Sequence, residues 1–141
     1  MRIVNKTKVS AHETCIADES MPEMTPVFAS GGRIRKASCH KLGGEYSGLT
    51  LSDAEEGSQA FYGAVGRLEC EEGTFQQAEL YALGDGEIIP FSKVPAGAAV
   101  TLVGIAETDA ILRLFGFPSR VLKPKAEKKS SKPSTKATDK S

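Results

Sequence analysis

The side chains able to do chemistry are few, and their spacing is the first thing to weigh. Cys15, Cys39 and Cys70 lie too far apart for a Cys-x-x-Cys metal knuckle, and only His40 neighbours one of them. Zinc held by Cys39, His40 and two distant partners is the one metal arrangement the order allows. As a nucleophile and base, Cys39 and His40 fail on geometry, because adjacent residues of a strand point to opposite faces. His12 reads as an exposed residue. Glu55-Glu56 and Glu69, Glu71 and Glu72 fall in turn-like stretches, where solvated carboxylates are the rule; acid–base work would need a pocket to raise one pKa. No glycine group opens a helix as phosphate-binding loops require. We therefore expect no catalytic residue, no cofactor and no metal, and read the chain as a non-enzyme.

Cations form a second class of candidate. Arg33, Arg35 and Lys36 surround Ile34 and could mark an anion site; an edge strand guarded by charge is the preferred explanation. The formal net charge of zero over 141 residues hides an asymmetry. From Lys123 onward seven Lys face only Glu127 and Asp139, so the tail carries +5 and Met1–Leu122 carries −5. An acidic body with a basic tail argues against a surface that embraces nucleic acid throughout. Lys, Ser, Pro, Thr and Ala dominate residues 123–141, which cannot bury enough to order themselves and are expected to be disordered.

The elements that would position these groups centre on Leu80 to Phe117. Apolar runs of strand length are separated there by Gly84-Asp85-Gly86, by Val94-Pro95-Ala96-Gly97 and by Glu107-Thr108-Asp109-Ala110. Four antiparallel strands follow. Thr101, Val103 and Ile105 alternate with Val100, Leu102, Gly104 and Ala106, and neither set is polar, so this strand is covered on both faces. That implies a closed barrel or a surface buried against another subunit. Pro118 is expected to stop the last ladder, since it has no N–H to donate.

Upstream, Thr25-Pro26-Val27-Phe28 and Arg33–Ala37 flank an Ala-Ser-Gly-Gly turn, and Gln59 to Glu69 reads as a strand whose glycines allow a bulge or close packing. Ser52, three residues before Glu55, suggests one short helical turn. Met1 to Glu23 has no sustained period; only Arg2–Val4 and Lys8-Val9 resemble strand. The division is an extended N-terminal arm over 1–24, a β-barrel or sandwich over 25–122 and the tail over 123–141. No apolar run reaches the ~20 residues of a membrane-spanning helix, and the N-terminus lacks an apolar signal core, so a soluble, all-β, mainly antiparallel protein of a reducing compartment is expected.

Residues 25–117 resemble the small β-rich head decoration, or capsid cement, proteins of tailed bacteriophages. The resemblance is carried by Thr-Pro-Val-Phe and Gly-Arg-Ile at 25–28 and 32–34, Ala-Glu-Glu-Gly at 54–57, and the strand from Ala60 to Leu68. Ala-Glu-Leu-Tyr-Ala-Leu-Gly-Asp-Gly-Glu-Ile at 78–88 and Leu-Val-Gly-Ile-Ala-Glu-Thr at 102–108 complete it. It implies a structural virion protein, made in a host bacterial cytoplasm and carried on the capsid surface, that stabilises the head at capsomer junctions. Its partners would be the major capsid protein and further copies of itself, as trimers. An arm anchored by Ile3, Val4, Val9 and Ile16, with Val27 and Phe28 where it joins the domain, would contact the capsid. The Lys-rich tail departs from the family pattern. The competing reading is a small β-barrel that binds RNA or DNA through Arg33, Arg35, Lys36 and the tail; against it, Phe61, Tyr62 and Phe75 do not alternate with basic residues as a stacking platform would.

Overall fold

A computed structural model describes residues 1–38 and 46–124. The chain is nearly all β: β1 (Ile3–Asn5), β2 (Val9–Ala17), β3 (Pro26–Ser30), β4 (Arg33–Lys36), β5 (Gly48–Thr50), β6 (Gln59–Cys70), β7 (Leu80–Leu83), β8 (Ile88–Pro90), β9 (Ala99–Ala106) and β10 (Ile111–Leu122). A three-residue 3₁₀ turn, Phe91–Lys93, is the one helical piece among the described residues.

The strand that organises the molecule is β6. One half of it closes a five-stranded barrel in the order β2-β4-β3-β5-β6, with β6 pairing back onto β2. The other half pairs with β10 and leads to an extension, β6-β10-β9-β7-β8. The stretch from Leu80 to Phe117 does form four antiparallel strands, yet it builds the extension and not the barrel. Its turns lie where Gly, Pro and Asp put them: Gly84 N–H donates to Glu87 O at 2.7 Å, Ala98 N–H to Pro95 O at 3.1 Å, and Glu107 N–H to Ile111 O at 2.9 Å.

Glycine lets β6 serve both sheets. Gly66 has φ +122°, and a Cβ there would sit 2.0 Å from Lys8 O; at Gly63 it would sit 2.4 Å from a Val9 methyl. Backbone therefore approaches backbone where β2 crosses β6, which no side chain permits. The barrel interior is filled by small residues, Cys15, Ala17, Ala54 and Ala60, around Met21, Val27 and Ile34. A larger cluster, with Leu49, Leu68, Phe75, Tyr81, Leu83, Val103 and Leu112, runs from beneath the barrel into the extension.

Several expectations change. Residues 3–5 and 9–17, expected to form an extended arm, lie in the sheet: both β1 and β2 pair antiparallel with β6, because β6 offers an open edge along its whole length. Strand β4 is no edge strand; it is held by β3 on one side and, in parallel, by β2 on the other. Ser52–Glu56 is not helical. Asp53 Oδ1 instead accepts from Glu23 N–H at 2.9 Å, and Ala54 bridges to Met21, so tertiary partners outcompete a one-turn helix. Pro118 does not stop the ladder: β10 shifts register between Leu114 and Ser119 and resumes pairing at Ser119 with Leu102. A bulge places proline where no ladder N–H is required.

Candidate interaction surface

Two of the predicted contact residues meet beside a groove at the N-terminal margin of the sheet. Pro22 O accepts hydrogen bonds from the hydroxyls of Thr25 (2.7 Å) and Thr50 (2.8 Å), and Thr25 N–H donates to the Thr50 hydroxyl at 2.9 Å. These buried and half-buried bonds hold residues 22–25 in a tight corner, in which Met24 takes φ +67°. The corner places Glu23 against β1. Its Oε1 accepts the Ile3 N–H at 2.5 Å, and its Oε2 lies 3.5 Å from the Arg2 guanidinium. On the far side Lys6 Nζ donates to Leu51 O at 2.9 Å. Between these ties lies a groove of about 430 Å³, walled by β1 and Leu51–Asp53. Past Lys6 a second, mainly apolar hollow of about 470 Å³ is lined by Leu51, Ser52 and Phe61.

Ile3 and Val4 line this groove, and Val9, the next residue to pair with β6, packs with Ile3 and Phe61 onto the larger core. Val4 is 58 % exposed, an apolar side chain left in solvent at the groove wall. The other predicted contacts lie elsewhere. Ile16 is half-buried on β2 opposite Gln59. Val27 is fully buried and is a core residue of the barrel, because β3 lies between β4 and β5 and turns it inward. Phe28 is half-buried beneath Arg35, whose guanidinium lies 5.0 Å from the ring centroid. The groove residues that sequence alone did not single out are Lys6, Glu23, Leu51, Asp53 and Phe61. Nothing local marks them, since they converge from four separate segments.

The basic cluster is brought together on β4, but its arginines are already engaged. Arg33 Nε bonds Asp18 Oδ1 and Arg35 stacks on Phe28, whereas at Lys36 it is the backbone N–H, not the ammonium, that donates to Glu19 Oε2 at 3.0 Å. A second charged group, absent from the sequence reading, sits on the outer face of the extension: Glu107 accepts from Arg67 at 2.8 Å and lies 3.2 Å from Arg113. The Arg67 hydrogen bond holds the Glu107 carboxyl below the usual carboxylate range. Both arginines are solvent-exposed and Glu107 is only half-buried, so the network contributes little to stability.

Among the described residues, no three His, Cys, Asp or Glu approach closely enough to hold a metal ion. Cys39 and His40 lie outside the described residues, as does the tail from residue 125. Cys15 and Cys70 are free and buried. Burial pushes the Cys70 thiol up to about 11, which keeps it protonated near neutrality. Burial likewise pushes the Tyr46 hydroxyl up, and that oxygen has no hydrogen-bond partner among the described residues.

Comparison with known protein families finds no family that matches this chain, and comparison with characterised proteins finds none similar to it.

Proposed function

We propose that this chain is an accessory structural protein that decorates a bacteriophage head and stabilises it at capsomer junctions. Two kinds of support stand behind the reading. The order of strands and glycine turns from Thr25 to Phe117 resembles head decoration proteins, and Val4 stands exposed at an N-terminal margin whose groove is otherwise lined mainly by polar residues. The observation that carries it is Val4, exposed beside Ile3 on the wall of a groove that continues past Lys6 toward Phe61. An extended capsid segment lying there would cover Val4 and gain main-chain hydrogen bonds from the sheet margin.

The mechanism is linkage. A protein that binds only the assembled shell adds its binding free energy to the shell's stability, about 2.7 kcal/mol per site at a hundredfold excess over Kd. Trimers bridging neighbouring capsomers would multiply weak contacts through avidity. The nucleic-acid reading is less well supported, because Arg33 and Arg35 are turned to Asp18 and Phe28.

The test is the temperature or chelator concentration at which heads rupture, with and without the protein. Added protein is expected to raise the rupture point, and Val4→Asp to abolish most of the gain by placing a charge in the contact. Equal rupture points with and without protein would end the proposal. A filter-binding titration with DNA covers the alternative, which predicts steep weakening with salt.

A further inference from the structure

We propose that residues 1–7 are a releasable strap, which lifts from the edge of β6 while the barrel and extension stay folded and so bares the Cys70 thiol. Ile3 lies opposite Cys70 and Asn5 opposite Glu69, with a break in register between them, and these are the strap's ladder pairs with β6. Of these seven residues only Ile3 is even half-buried. The remaining ties are the Arg2 carbonyl, which accepts from Glu71 N–H at 3.2 Å, the Glu23 carboxylate and the Lys6 ammonium.

The hinge is also visible. Asn5 Oδ1 accepts from the Thr7 N–H (2.9 Å) and hydroxyl (2.8 Å), and Val9 N–H donates to Lys6 O at 3.2 Å. This local turn separates β1 from β2, whose pairing with β6 begins at Val9. Ordering seven backbone residues against one half-buried side chain and a few exposed or half-buried polar bonds leaves little net stability. Segments with so little buried surface open well before the fold does.

Lifting the strap does not unseat β6. On its other side β6 keeps β10, with Glu69 opposite Ile111 and the Cys70 N–H donating to Ala110 O at 2.7 Å. What opens is the far edge: the main chain of Glu69 to Glu71 loses its partner, and Cys70 loses the cover of Ile3. Cys15 is placed differently, on β2 opposite Ala60 inside the closed barrel, where exposure requires the barrel itself to open.

The experiment uses the full chain and a small alkylating reagent such as iodoacetamide, with peptide mass spectrometry resolving each cysteine. In the static structure Cys15 is the more exposed thiol, at 8 % against 2 % for Cys70. The strap predicts the reverse order of reaction: Cys70 modified at least ~10-fold faster than Cys15, at a rate nearly independent of urea below the unfolding transition. Glu23→Gln should quicken Cys70 several-fold and leave Cys15 unchanged. If Cys70 reacts no faster than Cys15, or both follow global unfolding with one urea dependence, the strap does not exist. The comparison within the unaltered chain decides this even if Glu23→Gln fails to fold.

Discussion

The barrel and the extension share β6 yet are held together differently. In the barrel, closure brings backbones so near that side chains are excluded: β2 crosses β6 at Gly63 and Gly66, and a Cβ at Gly48 would lie 2.6 Å from Gly63 O. The interior left over suits alanine and cysteine. In the extension no ring closes. The sheet ends at β8, whose Pro90 has no N–H to offer a further strand, and stability comes from large side chains, with Phe75 edge-on to Tyr81 at 5.4 Å beside Leu83, Val103 and Leu112. A Cβ at Gly104 in the extension would also lie 2.5 Å from Arg113 O, so both halves need glycine at one close approach; what separates them is the filling, small in the barrel and bulky in the extension.

That contrast can be broken most sharply at Gly66. Gly66→Val imposes a β-branched side chain at φ +122° and drives it into Lys8 O; the expected loss is about 4 kcal/mol or more, enough to prevent folding, measured as soluble yield and urea midpoint. A valine tolerated there would mean the crossing is looser than described. Next come paired truncations, Ile34→Ala in the barrel and Leu112→Ala in the extension, both fully buried in the native chain. Each should cost about 2–5 kcal/mol. Because β6 runs through both halves, each should shift one common transition seen alike by far-UV circular dichroism and by tyrosine fluorescence; two separated transitions would show that the halves fold apart.

The smallest effect is set by pH. Burial raises the folded Cys70 pKa from 9.0 to about 11, so between those values the unfolded chain releases a proton that the folded chain keeps. Stability therefore falls as pH rises from about 9 to 11, by on the order of 2 kcal/mol, and is unaffected by this group below that window. Cys70→Ala should flatten this fall relative to the unaltered chain; an unchanged slope would assign it to other groups.

Local signals were legible in the order of residues. The reversals at 84–87, 94–97 and 107–110 and the strand from Gln59 depend on turn chemistry and on period, both carried by neighbours in the chain. The groove was only partly legible: Ile3 and Val4 stood out as strand-like arm contacts, whereas Lys6, Glu23, Leu51, Asp53 and Phe61 meet only through folding. Ser52–Glu56 shows the same limit, since its helix-start pattern yields to Glu23 and Met21, partners some thirty residues away.

By itself the sequence determined an all-β chain, the places where it reverses and the asymmetry between an acidic body and a basic tail. Those properties follow from backbone freedom at Gly and Pro, from side-chain period and from charge, all of which act over a few residues. Tertiary structure alone decided that β2 closes a ring with β6, that β4 is interior and that Val27 belongs to the core. Strand partners are chosen by surfaces that meet only after the chain has folded back, and no short window of residues records that choice.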